Sequence, residues 1–448
     1  MDPERQRPDA IRTAPKTPAP TLPAVMTATS FSWIRGRLAP VSSARAVAFV
    51  VLAAAVSVTA GACGLAAPGY RGPASSNFDG RVFENQVVVP QKNLYDVVRW
   101  KLASNAEPWK AHAEESAPGA VPQARVAQGA LHVTMVNHAT VLIQMDGINI
   151  LTDPIWSDRA SPFSFVGPRR HHAPGLRFED LPPIDVVLIS HNHYDHLDVP
   201  TLQRLAQAHR PLFLAGLGTR ALLAEKSIDC GVDMDWWDSF RVGNDMFVTA
   251  VPAQHWSRRG IGDTNNTLWM GFVIEGQRGP VYFAGDTGWG PHFEQIRDRF
   301  GPMRLALLPI GAYMPRWFMH PMHISPEEAV DAARVLDAQV TVPVHWGTFQ
   351  LGDEGRDEPL RALERYQSII VDPPEFLLLH FGEGKAIEAL ERPLNFAGPP
   401  SCKPRQIERL PRACRPRIRV SAAKTEAPAI ARRPIKRVPC VSVVEFAL

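Results

Sequence analysis

The sequence predicts an α/β protein in which two packed β-sheets are covered by helices. Apolar runs of strand length come in two series, residues 131–215 and 245–346, each interleaved with segments of helical period. Several of these runs stop on a histidine or an aspartate, as if one end of each sheet carried chemistry. With 448 residues and 45% apolar composition the chain can bury a large core as one large or two modest domains. A net charge of +3 lies too close to balance for a nucleic-acid partner, and the basic residues gather at the chain ends.

The first 63 residues read as a leader. Arg35, Arg37 and Arg45 precede the uncharged run Ala46–Ala60, whose 15 residues fall short of the ~20 a membrane span needs and suit a signal-peptide core. Ala60-Gly61-Ala62-Cys63 then resembles a loose bacterial lipobox, so the expected location is the cell envelope, periplasmic or lipid-anchored through Cys63. A cytoplasmic, membrane-associated protein is the alternative, and Met26 is a second candidate start. Residues 64–130 are expected to be a tether and packing segment. Gly, Pro, Ser and Ala dominate to about Glu84, and Leu94, Val97, Val98 and Leu102 give residues 93–104 the period of a small packing helix. The five cysteines show no C-x-x-C spacing and no disulfide framework.

Strands follow at 131–136, 140–145 and 148–153, with Asp146-Gly147 as a hairpin turn. After a long loop, 184–190 reads as a buried strand. A helix (199–208), a strand (211–215), a helix (219–227) and strands at 245–255, 268–275, 280–286 and 305–311 come next. Ser325 and Glu328 form a capping box at the head of a helix to residue 338, and a strand spans 340–346. From Ala397 the pattern dissolves into a tail with twelve Lys or Arg against three Glu, expected to be disordered.

The chemistry is concentrated in "ISHNHYDHLD" (189–198). In an extended segment alternate side chains share a face, so His191, His193 and Asp195 converge, and a turn brings His196 to the same spot. Imidazole and carboxylate are ligands for Zn²⁺ and related ions, and four such groups exceed what one catalytic metal takes from its protein. His255, Asp286 and His345 stand at the ends of three further strands. Five His and two Asp can hold two divalent ions if one carboxylate bridges them, and a water between two metals loses its proton near neutral pH, which points to hydrolysis.

H-x-H-x-D-H followed by His, Asp and His in this order resembles the metallo-β-lactamase superfamily. "LTDPIW", "LISHNHYDHLD", "QHW", "FAGDTG", "PIGAYMPRWFM" and "HWGTF" narrow the resemblance to the N-acylphosphatidylethanolamine-hydrolysing phospholipases D, over about Val82 to Leu390. The resemblance implies an αββα four-layer sandwich of two mixed sheets, with the catalytic domain over 131–396. It implies two zinc ions: His191, His193 and His255 on one, Asp195, His196 and His345 on the other, Asp286 bridging. It further implies a bridging hydroxide that attacks a phospholipid phosphodiester while Asp195 orients it or accepts its proton. His323 matches a histidine that orients phosphate or protonates the leaving group; a helix-entry role is its alternative, and His320 is the neighbour most easily confused with it. Tyr313, Arg316 and Trp317 are candidates for the substrate mouth, Arg316 as a phosphate partner or a structural cation. His138 is placed beneath the ligands as a hydrogen-bonding support, and Arg169, Arg170, His171 and His172 form a basic patch that is an anion site or a solvated turn. Where Asp286 stands, the zinc enzymes that open β-lactams carry cysteine, which disfavours a penicillin substrate, and the span from Asp286 to His345 leaves no room for the inserted domain of the superfamily nucleases. The expected partners are a phospholipid or phosphodiester, a membrane surface and a second copy of the chain. A lactone or ester hydrolase of the same fold, and a non-catalytic envelope lipoprotein stabilised by metal, remain the alternatives.

Overall fold

A computed structural model of the chain describes residues 65–89, 92–106, 108–109, 118–243 and 246–390, all within one compact unit, Val58–Leu448. The leader with Cys63 and Met26, and the basic tail from Ala397, lie outside the described residues. No described helix is long and apolar enough to cross a membrane.

Thirteen strands are described, in two sheets. The first takes β1 (Leu131–Asn137), β2 (Thr140–Met145), β3 (Ile148–Thr152), β4 (Val186–Ile189), β5 (Leu212–Gly216), β6 (Gly231–Met234) and the late β13 (Gly384–Ala386), in the order β13-β1-β2-β3-β4-β5-β6. The second takes β7 (Ser239–Val242), β8 (Met246–Val251), β9 (Gly271–Glu275), β10 (Val281–Phe283), β11 (Leu305–Pro309) and β12 (Thr341–Val344), in the order β12-β11-β10-β9-β8-β7. Both sheets are mixed: β3 to β6 and β10 to β12 are parallel and the other pairings antiparallel.

Three apolar clusters show how the layers stack. Met135, Ile143, Leu188 and Leu214 of the first sheet meet Val248, Phe272, Phe283 and Val342 of the second in a central core. Val187, Ile189 and Phe213 on the outer face of the first sheet pack on α2 (Val199–Ala208) and α3 (Thr219–Glu225). Val273, Tyr282 and Leu308 on the outer face of the second pack on α4 (His292–Phe300) and α6 (Pro326–Val335). Strands apolar on both faces are what a four-layer αββα sandwich requires, and the expected fold class is the observed one.

The element reading was incomplete at β6, β7, β13, α4, α5 (Arg316–Met319) and α7 (Glu358–Ile369). β13 is three exposed residues with no apolar pattern at all. The expected tether is a correction: residues 65–89 are built into the fold, with Ala67, Phe78 and Phe83 buried and Tyr70 packed on both phenyl rings. Its few aromatic anchors lack a period, and its Gly and Pro content masked them. The helix expected over 93–104 is α1 (Leu94–Ala103), closed by a capping box between Asn93 and Asp96. Its anchor is Trp100, stacked on Phe318 at 4.8 Å and donating to Asp353 at 2.9 Å, while Val98 and Leu102 of the expected packing stripe are exposed. Cys230 is disulfide-bonded, contrary to the expectation that the cysteines make no cross-link.

Candidate metal centre

Because β8 and β10 are each antiparallel to β9, and β10, β11 and β12 are parallel, the carboxyl ends of β8, β10, β11 and β12 share one edge of the second sheet. His255 follows β8, Asp286 follows β10 and His345 follows β12; the 190–196 turn follows β4 of the first sheet. Carboxyl ends of parallel strands are where α/β sheets collect ligands.

The seven residues come together in two groups. His191 Nε2 lies 2.8 Å from His193 Nδ1, which lies 3.3 Å from His255 Nε2. Asp195 Oδ2 lies 3.2 Å from His196 Nε2 and 3.3 Å from His345 Nε2. Asp286 Oδ2 stands between the groups, 3.2 Å from both His196 Nε2 and His345 Nε2, 3.7 Å from His255 Nε2 and 3.9 Å from His191 Nε2. All seven are buried or nearly so.

Outer partners fix which nitrogens face inward. Ser190 Oγ donates to Asp153 Oδ2 at 2.5 Å, so it accepts from His191 Nδ1 at 2.9 Å. His196 Nδ1 donates to Asp153 Oδ2 at 2.6 Å, and His255 Nδ1 donates to the Met322 carbonyl at 3.0 Å. Each of these imidazoles therefore turns its Nε2 into the site, as a lone pair in His191 and His255, while His196 Nε2 faces the Asp195 and Asp286 carboxylates. Lone pairs aimed at one another across 2.8 to 3.3 Å, beside two buried carboxylates, suit a cation: tetrahedral zinc with Zn–N of about 2.0–2.1 Å separates its nitrogens by about 3.3 Å. Among the described residues, the buried Asp286 Oδ1 and His193 Nε2 have no hydrogen-bond partner. The donor set fits divalent metal: His191, His193 and His255 form one group able to hold an ion and Asp195, His196 and His345, with His138, another, while Asp286 groups with His255 and His323 and lies 3.2 Å from both His196 and His345.

The charges divide along the same line. Burial holds His191 and His255 well below the usual imidazole range and His193 down to about 4, so this group is neutral. In the other group burial also opposes charge, yet Asp286 and Asp195 push His345 up to about 9 and, with Asp153, hold His196 well above its ordinary value. His196 in turn keeps both carboxyls well below the usual carboxylate range against their burial. Away from the ligands, burial alone lowers His292 to about 3. A histidine whose folded pKa is depressed contributes stability that is present above pH 6.5 and lost as pH falls towards the folded value, by up to about 1.4 kcal/mol per pH unit per proton. Urea midpoints of the metal-free chain will fall between pH 6.5 and 4, and His292→Asn will make the fall shallower by about one proton; equal slopes would show that His292 does not titrate in this way.

The remaining expected residues are placed as follows. His323 precedes α6 with Nδ1 4.0 Å from Asp286 Oδ2, whereas His320 is exposed and pairs with Glu328 at 3.1 Å, away from the ligands. Of the two roles open to Arg316, its contacts describe the structural one: it pairs with Glu328 at 2.7 Å and donates to the His323 carbonyl at 3.1 Å. Tyr313 is buried, and Trp317 is exposed beside Lys92 and Arg99. Arg170 donates to the carbonyls of Ser157 and Ile155, so the basic patch is partly folded into the loop. His138 does more than expected: its Nε2 lies 3.0 Å from Asp195 Oδ2 and its carbonyl accepts from His345 N. The sequence reading missed Asp153 as a support, and also Asn85, which grips the His255 backbone with both ends of its amide, at 2.7 and 3.0 Å, from 170 residues away.

Residues 148–346 match the family description "Beta-lactamase superfamily domain". Over 276 residues the chain is 37% identical to N-acyl-phosphatidylethanolamine-hydrolyzing phospholipase D 1 of Caenorhabditis elegans, covering 59% of this chain and 78% of that protein. It is 44% identical over 238 residues to an uncharacterized protein of Mycobacterium tuberculosis (strain ATCC 25618 / H37Rv), covering 52% of this chain and 63% of that one. Among solved structures, an isothiocyanate hydrolase from Delia radicum gut bacteria overlays with a TM-score of 0.47 at 20% identity, covering 58% of this chain and 100% of that one.

Proposed function

The chain belongs to the beta-lactamase superfamily of metal-dependent hydrolases, and from that premise we propose that it is a dinuclear zinc phosphodiesterase acting on phospholipids of the N-acylphosphatidylethanolamine type. The observation that carries this reading is Asp286: one carboxylate oxygen lies within 4.0 Å of nitrogens from both groups. As a hard oxygen donor, Asp286 would contribute to holding both cations. When bound, the paired cations supply a water of lowered pKa and positive charge for the phosphoryl oxygens.

The chain's own residues do the rest. Asp195 Oδ2, already accepting from His138, is placed to orient the attacking water or take its proton. His323, on the Asp286 side and lowered to about 4 by burial, is neutral at pH 7 and can donate an N–H hydrogen bond to a phosphoryl oxygen; as a general acid it would first have to take up a proton. Arg316 and Glu328 fix its backbone. The identity to the worm phospholipase D supports the lipid substrate, and a lipid substrate is met at a membrane surface, in keeping with an envelope location.

Purified protein is expected to carry about two zinc ions per chain, to release phosphatidate and N-acylethanolamine from N-acylphosphatidylethanolamine, and to cleave bis-p-nitrophenyl phosphate faster than a fluorogenic lactone. One zinc or none, with neither lipid product, would end this reading. A faster lactone reaction would move the chain to the ester hydrolases of the fold.

A further inference from the structure

Glu354 is a buried carboxylate outside both ligand groups. It sits on the loop before α7, and it accepts from Ala312 N at 2.5 Å and from Met314 N at 3.1 Å. Those two amides belong to the turn that follows β11. The turn is tied to β12 where Ile310 N donates to the Val344 carbonyl at 3.0 Å. Gly311 comes so close to the His345 carbonyl that any Cβ there would collide with it. Two non-glycine residues in this contact hold left-handed backbone, Ala312 at φ +55° and His345 at φ +62°. Such conformations are strained for residues with a Cβ, and they persist only where neighbours over-determine them. His345 is held from one side by the His138 carbonyl, which accepts its N–H at 2.8 Å. On the other side stands the 311–314 turn, and what holds that turn is Glu354, together with Asp353, whose N–H donates to the Met314 carbonyl at 3.0 Å.

We infer that Glu354 is a positioning residue for His345: its carboxylate fixes the left-handed 311–314 turn, and the turn, through Gly311, sets where the His345 imidazole meets Asp195 and Asp286. The inference rests on the two-metal reading above. It assigns Glu354 to one ion only, because His191 and His193 follow β4 and His255 follows β8, whereas the turn that Glu354 holds is hydrogen-bonded to β12.

The test is cobalt titration of the full-length, chelator-stripped protein, followed by visible absorption, on wild type, Glu354→Gln, Glu354→Ala and, to mark which step belongs to His345, His345→Ala. Wild type should bind in two steps; a single step would overturn the two-metal reading whatever Glu354 does. In Glu354→Ala the His345 step should weaken by about 10- to 100-fold, as loss of a supporting hydrogen-bond partner does, with the other step within about twofold. Glu354→Gln, which keeps one acceptor for two amides, should fall between. If Glu354→Ala does not fold, the glutamine variant decides alone. Two wild-type-like steps in the variants, or an equal weakening of both steps, would overturn the assignment.

Discussion

Asp286→Ala will reduce kcat/KM for a phosphodiester by at least about 10³-fold, about 4 kcal/mol of transition-state stabilisation, and will leave about one metal ion per chain in place of about two. Asp286 Oδ2 lies within 4.0 Å of nitrogens of both groups, between the two sets of ligands. Without it His196 and His345 keep only Asp195, and His196 also Asp153, as carboxylate neighbours. The first group keeps its three inward lone pairs and should still take an ion, so the loss should be one-sided in metal and near-complete in rate. In the metal-free chain the same change removes a buried carboxylate partner from two charged imidazoles, a break that costs about 3–5 kcal/mol in comparable buried pairs. Zinc content by elemental analysis, rate on bis-p-nitrophenyl phosphate and a denaturation midpoint measure the three effects. Two zinc ions in the variant, with a rate within tenfold of wild type, would show that Asp286 bridges nothing.

How much of this could be read in the sequence depended on whether a residue's neighbours in space were also its neighbours in the chain. The 190–196 segment was legible as a ligand cluster, but not its shape: His196 N and Leu197 N donate to the His193 carbonyl, and this turn, in place of the expected extended run, sends His193 to one group and Asp195 to the other. His255, Asp286 and His345 were legible as strand-end residues, since the strands before them are unbroken apolar runs, but their meeting depended on sheet order, which came from the resemblance. Asn85 was not legible. It lies at the end of the Gly-, Pro-, Ser- and Ala-rich stretch that reads as a tether to about Glu84, and its value is created by a backbone contact 170 residues away. Arg316 stayed open between a phosphate partner and a structural cation for the same reason, since only the fold reveals Glu328 as its partner. α4 and α7 were missed although their signals were present, Phe293, Ile296 and Phe300 at helical spacing in one and Pro359 in the first turn of the other. β13 had no signal to find, because its place is fixed by the register His132↔Ala386 and not by its own side chains.

Asp153 tests the deeper claim that proton placement, and not only ligand identity, makes the site. It closes β3 with φ +33° and is fully buried. One carboxylate accepts from Ser190 N at 2.7 Å, Ser190 Oγ at 2.5 Å and His196 Nδ1 at 2.6 Å. The first and last links fix geometry; the middle one fixes a tautomer at one remove. As long as Ser190 Oγ gives its proton to Asp153 it must accept from His191 Nδ1, which leaves the His191 Nε2 lone pair facing the site. Removing the acceptor frees Ser190 to donate to His191 Nδ1, and the imidazole proton then moves to Nε2, where it blocks a ligand position. His196 loses its own tautomer lock in the same step. Asp153→Asn should therefore fold, since an amide of the same shape fills the space, yet weaken both metal steps by about 10- to 100-fold each. Asp153→Ala should do the same and lower stability by about 3–5 kcal/mol, because three buried donors lose their acceptor. This pattern differs from Glu354, where only the His345 step should move, and from Asp286, where an ion should be lost outright. Cobalt titration beside urea unfolding separates the three. If Asp153→Asn bound both ions as tightly as wild type, the imidazoles would hold their tautomers without it, and the serine-to-histidine relay would have to be given up.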